Sequence, residues 1–148
     1  MTLLYAFDYQ AAWDAGDRYL NRYNDGYFGG KGYIMLSSGV TPTTELYKDY
    51  ALPAGRYARF VLDYKMLTYA RRRGKCRVLV QLLQGADVIK QFDSGLMGDW
   101  QTDDWHPQQV ADTLPTNVDK VRFKVVVDGA IANNALTFRD ITIRVGES

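Results

Sequence analysis

One cysteine and one histidine are all that the chain holds of the two side chains most used as soft metal ligands and catalytic bases. The lone Cys76 excludes an intrachain disulfide, and no Cys/His cluster is available for a transition metal. Cys76 falls at an apolar position of an alternating segment, where it acts as a small buried hydrophobe. The only histidine, His106, stands between Trp105 and Pro107. A Cys–His nucleophile pair therefore has little support. Ser37, Ser38, Ser94 and Ser148 all lack the G-x-S-x-G setting of a nucleophile elbow. Carboxylates are frequent but fall at turns. The adjacent Asp103-Asp104 would point to opposite faces of a strand, not across a cleft as a glycosidase pair must. The expectation is a protein that is not an enzyme and requires no cofactor.

Long apolar runs are also missing. No stretch approaches the length of a membrane span, and Met1-Thr2-Leu3-Leu4-Tyr5 lacks the basic and apolar regions of a signal peptide. Synthesis in a reducing cytoplasm follows as an expectation, with release by lysis or incorporation in a virion as the routes out; the alternative is a mature fragment of a secreted protein with an added Met. The net charge is only +1, so bulk electrostatics nominates neither nucleic acid nor a membrane surface. The charge is nevertheless uneven. Residues 56–90 carry a net +7 and residues 91–119 a net −6. Either these stretches lie side by side and neutralise each other, or they form two opposite patches suited to head-to-tail association.

What is abundant is tyrosine, with 11 residues beside 6 Phe and 3 Trp. Aromatics favour strands and partly wet binding surfaces. Short alternating segments recur between Gly, Pro, Asn and Asp turns, the pattern of an all-β domain. Strands are expected near residues 3–9, 31–38, 45–50, 56–67, 76–82, 88–92, 105–111, 121–127 and 136–145. In the clearest of them Ala58, Phe60, Leu62, Tyr64 and Met66 share one face. Residues 10–30 have no clean period and are expected to form a long loop with a short helical turn. In the last strand the inward phase changes from even (Leu136, Phe138) to odd (Ile141, Ile143, Val145), which calls for a β-bulge near Arg139-Asp140. The expected fold is all-β: one antiparallel β-sandwich of about nine strands, spanning residues 1–148 as a single domain.

The order of these segments resembles the galactose-binding-like jelly roll shared by many carbohydrate-binding modules. Phe7-Asp8 with Trp13 is similar to that family's opening "FE…W" pattern. Gly30-Lys31-Gly32-Tyr33-Ile34-Met35-Leu36 is similar to its "GKxSLxL" strand. Leu52-Pro53-Ala54-Gly55-Arg56-Tyr57, with Phe60 after it, resembles "LxxGxYxxSFxxK". Trp105 and Val121-Arg122-Phe123 resemble the late "W…VRF" strands, and Leu136 to Ile143 the closing "hxhDDhxh" strand, h being apolar. The resemblance implies a jelly roll and places Trp13 and Trp105 in the core or at its rim. It also implies a structural calcium between the first and last strands, with Asp8 and Asp140 at the matching acidic positions. The same fold serves adhesion, enzyme-accessory and virion domains, so it does not fix the function.

Three groups of residues are candidates for contact with a partner. Trp100 lies in a Gly/Asp-rich stretch next to Gln101, where an apolar anchor needs a reason. Tyr19, Tyr23 and Tyr27 crowd the early loop beside Arg22; they form either a ligand platform or rings packed on the sandwich edge. Arg71-Arg72-Arg73-Gly74-Lys75 is either a solvated turn or a contact for an anionic partner. Stacking aromatics are too few there for single-stranded nucleic acid. The leading expectation is a non-catalytic module for glycan recognition or adhesion. The alternative is a structural or decorating component of a multimeric assembly such as a bacteriophage capsid or tail, in which the partner is a protein or another copy of the chain.

Overall fold

The computed structural model describes residues 1–25, 30–36, 43–69, 76–95, 105–128 and 135–147. Among these residues ten strands run β1 (Thr2–Tyr5), β2 (Leu20–Asp25), β3 (Gly30–Leu36), β4 (Thr43–Ala51), β5 (Tyr57–Tyr69), β6 (Cys76–Gln84), β7 (Asp87–Asp93), β8 (His106–Thr113), β9 (Lys120–Asp128) and β10 (Ala135–Glu147). Every pairing is antiparallel. One sheet has the order β2-β3-β10-β5-β8, with β1 added to β10; the other has the order β4-β9-β6-β7. The two pack face to face as an all-β jelly-roll sandwich.

Alternation builds the interior. Phe60, Leu62, Tyr64 and Met66 of β5 turn inward from one sheet, and Val78, Val80 and Leu82 of β6 with Val121, Phe123 and Val125 of β9 turn inward from the other; all are buried. At about 25 cal/mol per Å² of apolar surface, these two facing layers supply the main driving force for folding. Aromatic rings meet edge to face across the layers, Tyr64 on Phe123 with centroids 5.0 Å apart. The hairpin from β6 to β7 turns at Gly85, whose φ of 59° matches the glycine-first two-residue connection.

The phase change expected in the last strand is present. Asp140 has φ 58°, and the register of β10 on β5 shifts between Arg139 and Thr142. Phe138 before the bulge and Ile141, Ile143 and Val145 after it are all buried. The bulge also divides one side of β10 between two partners, β3 pairing Ala135 to Phe138 and β1 pairing Ile143 to Val145.

The early segment departs from the expected long loop. It contains a 3-10 turn at Asp17–Tyr19 and a full strand, β2, paired on β3. Periodicity missed β2 because it lies at the sheet edge with charged and polar residues on both phases. The oppositely charged stretches lie alongside each other, as β5 pairs β8. Lys90 meets Asp112 at 2.6 Å and Arg77 meets Asp93 at 3.4 Å. Among the described residues of the two stretches, mutual neutralisation, not two separate patches, is what these pairs show.

Candidate ligand-binding face

Of the residues singled out in the sequence, Tyr27, Trp100, Gln101, Arg71, Arg72, Arg73 and Lys75 lie outside the described residues, as does the Cys76 side chain. The others are placed clearly. Tyr23 is 8% exposed, and its phenol packs directly on Gly32, where any added Cβ would collide with it. With so little exposure its ring has no open face for a ligand. Arg22 donates to the Ala11 carbonyl at 2.7 Å and to the Asp17 carboxylate. Tyr19 accepts a hydrogen bond from Arg18, which also lies over its ring. These contacts tie the early segment down, so of the two readings open for it, self-packing describes Tyr23 and Arg22.

Asp8 is exposed and caps its own turn, its Oδ1 accepting from Gln10 N–H at 3.0 Å. Asp140 Oδ2 faces Lys65 Nζ at 3.3 Å and Arg139 Nε at 3.5 Å. A carboxylate met by two cations does not fit a calcium shell of converging oxygens. Among the described residues no group of three or more His, Cys, Asp or Glu is arranged to share a metal ion.

A different set of polar side chains converges on the outer face of the four-stranded sheet. Pairing places Asp49 opposite Arg122, Arg122 opposite Gln81, and Gln81 opposite Gln91. One row thus crosses all four strands, on the phase opposite to the core residues Val80, Leu82, Val121 and Phe123. Arg122 grips Asp49 with two hydrogen bonds, Nε to Oδ1 at 2.7 Å and Nη2 to Oδ2 at 3.0 Å. The Asp49 hydrogen bond raises the Arg122 pKa above the ordinary arginine range. Its guanidinium lies over the Tyr47 ring, 3.8 Å from the centroid. Gln81 Nε2 donates to Gln91 Oε1 at 2.7 Å. Lys124, in the neighbouring row, pairs with Glu45 at 3.2 Å.

Burial sets this face apart. Gln81 is only 5% exposed, although it points away from the core. Its Oε1 is buried and has no hydrogen-bond partner among the described residues, a condition that costs about 1–3 kcal/mol. The Arg122 and Asp49 side chains are 17% and 21% exposed. A flat Arg–Tyr stack flanked by fixed amides and a carboxylate can lie under a ring and meet hydroxyl groups at its edge. Sequence alternation marks Arg122 and Lys124 as outward; only the register shows that they meet Asp49, Glu45 and Gln81.

Comparison with known proteins agrees with the fold. No protein-family profile and no curated protein matches the chain. Among solved structures, the CBM22-1 xylan-binding domain of Paenibacillus barcinonensis Xyn10C aligns over 99% of this chain and 96% of its own, at 11% identity and TM-score 0.64. This chain has the jelly-roll β-sandwich fold of carbohydrate-binding modules. A Family 16 Carbohydrate Binding Module-2 aligns over 93% and 89%, at 20% identity and TM-score 0.57. The enzymatically active domain of tailspike protein 4 from bacteriophage CBA120 aligns over 85% of this chain at 8% identity and TM-score 0.64. The chain spans only 17% of that tailspike structure's length.

Proposed function

We propose that the protein is a non-catalytic, glycan-directed binding module whose ligand lies on the outer face of the β4-β9-β6-β7 sheet. The observation that carries this reading is the polar row Asp49–Arg122–Gln81–Gln91 beside Tyr47, in which Gln81 is buried and Arg122 and Asp49 are half-buried. Its donors and acceptors are fixed before a ligand arrives, which lowers the ordering cost of binding. Structures of the same fold that span almost the whole chain support it: a xylan-binding domain, a xylan-binding module and a module in complex with β-1,4-galactotriose. The carboxylates of the face suit binding better than catalysis. Asp49 and Glu45 are each engaged by a cation of the sheet itself, Arg122 and Lys124, as groups that position a ligand are.

The test is a glycan array followed by affinity electrophoresis in soluble xylan and galactan. Wild type should bind at least one glycan. Tyr47→Ala and the exposed-residue change Gln91→Ala should each weaken binding about ten-fold, the equivalent of about 1.4 kcal/mol, with the fold checked by circular dichroism. A wild type that binds no glycan, or variants that bind unchanged, would overturn the reading.

A second reading has one observation in its favour. The edge strand β7 exposes Val88 (48%) and Ile89 (40%), and an apolar edge strand invites pairing with another chain. Light scattering after size exclusion distinguishes an assembling protein, whose mass grows with concentration, from a monomer.

A further inference from the structure

The side of the sandwich between β7 and β8 holds a cleft of about 170 Å³. This lies below the about 300 Å³ at which drug-sized sites begin, and suits a guest of one small ring. Val80, Phe92 and Val110 form apolar walls, while Asp93, Ser94 and Gln108 bring polar atoms to it. Gln108 lies on the inward phase of β8, opposite Tyr64. Its neighbour Gln109 faces away and donates to Asp63 at 2.9 Å. Gln108 is half-buried, and no described residue hydrogen-bonds to its amide, which leaves it available to a guest in the cleft.

The remaining polar groups of the cleft are occupied. Asp93 accepts from Gly95 N–H at 2.8 Å and pairs with Arg77 at 3.4 Å. Ser94 Oγ accepts from Val78 N–H and donates to the Gly95 carbonyl, both at 2.9 Å. Lys90, whose ammonium lies over the Phe92 ring, is paired with Asp112. Among the described residues the cleft therefore offers an apolar wall, an unengaged amide and no unpaired cation. That is chemistry for an uncharged, hydroxyl-bearing ring. Asp93 also stands opposite Leu79 on β6, two residues along from the Gln81–Gln91 pair and on the same face, so the cleft adjoins the outer face.

We infer that this cleft is a second subsite, taking a single neutral sugar ring at the end of a glycan whose preceding residues lie on the outer face. The inference rests on the glycan-binding reading but can fail independently of it. Saturation-transfer NMR tests it with free xylose, galactose, glucose and glucuronate, alongside xylohexaose and β-1,4-galactotriose. At least one neutral monosaccharide should give signals, and glucuronate should give none. Val110→Phe, which fills the cleft, should abolish the monosaccharide signals. Gln108→Ala should weaken them about three- to ten-fold, as loss of about one hydrogen bond requires. Tyr47→Ala should spare the monosaccharide signals while weakening the oligosaccharides. Oligosaccharide binding with no monosaccharide binding, equal binding of glucuronate, or signals that survive both cleft variants would overturn the inference while leaving the outer face intact. A wild type that binds none of these sugars would remove both.

Discussion

The two lateral sides of this sandwich are closed by different means. On the β2/β4 side the chain itself forms the wall. Tyr47 exchanges backbone hydrogen bonds with Ala15, and Asp14 N–H donates to the Tyr47 carbonyl at 2.9 Å. The Asp14 carboxylate accepts from Asp49 N–H at 2.7 Å, and the Lys48 ammonium donates to the Ala12 carbonyl at 3.1 Å. Trp13 fills the gap beneath, 5% exposed and edge-to-face with Phe123. On the β7/β8 side the sheets meet through side chains, chiefly the ion pair of Lys90 with Asp112 and the contact of Phe92 with Phe60. The cleft lies on that side. Backbone pairing leaves no room between sheets, whereas side-chain bridging does.

The sealed side should respond most strongly to mutation. Trp13→Ala removes a buried ring from between the early segment and β9, and should lower unfolding free energy by about 3–5 kcal/mol, read from denaturant melts. A loss under about 1 kcal/mol would mean that the backbone bridge, and not the ring, closes this side. Arg22→Ala comes next. It breaks the ties to Ala11 and Asp17 and should cost about 1.5–3 kcal/mol, the range for charge-assisted hydrogen bonds. The same change has a pH signature. Hydrogen bonds from Arg22 and from Trp13 N–H, with Arg22 the larger cause, hold the Asp17 pKa below the ordinary carboxylate value. A depressed folded pKa gives stability that is present above about pH 4, the unfolded value, and lost as pH falls through the folded pKa. Arg22→Ala should therefore flatten the acid limb of the stability curve as well as lowering its plateau.

The same contrast explains what could be read from the sequence. The core was legible because it obeys a local rule: alternation identified β5, β6 and β9 residue by residue, and the phase change in β10 located the bulge at Asp140. β2 was hidden because Leu20, its core residue, is followed on the same phase by Arg22 and Asn24, so this edge strand shows no apolar alternation. The outer face was half legible. Arg122 and Lys124 stood out as outward-facing, but their partners are 73 and 79 residues away along the chain, and cross-strand register is not a local property. Tyr23 and Arg22 misled for a related reason: composition marks tyrosine and arginine as contact residues without distinguishing a ligand from the protein's own loop. The cleft left only one local trace, a glutamine on the inward phase of β8.

The open side should be nearly silent in stability but visible in its dependence on solution conditions. Lys90→Gln removes the exposed bridge to Asp112. Exposed ion pairs contribute little and are screened by salt, so the denaturant midpoint should match wild type at high ionic strength and differ only at low. The Lys90 hydrogen bond, then that from Thr113 N–H, lowers the Asp112 pKa. Whatever it contributes is present above about pH 4 and lost on acidification. A Lys90→Gln loss as large as that of Arg22→Ala would erase the distinction between the two sides.

The smallest expected effect concerns metal. If calcium bridged Asp8 and Asp140, the segment that leads from β1 into the sealed side would be pinned by an ion, not by hydrogen bonds. The geometry argues against it: Asp8 caps its own turn, and Asp140 is met by Lys65 and Arg139. Binding that favours the folded state must raise stability by mass action. Adding millimolar calcium, or removing it with a chelator, should therefore leave the melting temperature unchanged. A rise with calcium that disappears in Asp8→Asn would show that an ion, in addition to Trp13 and Arg22, seals that side.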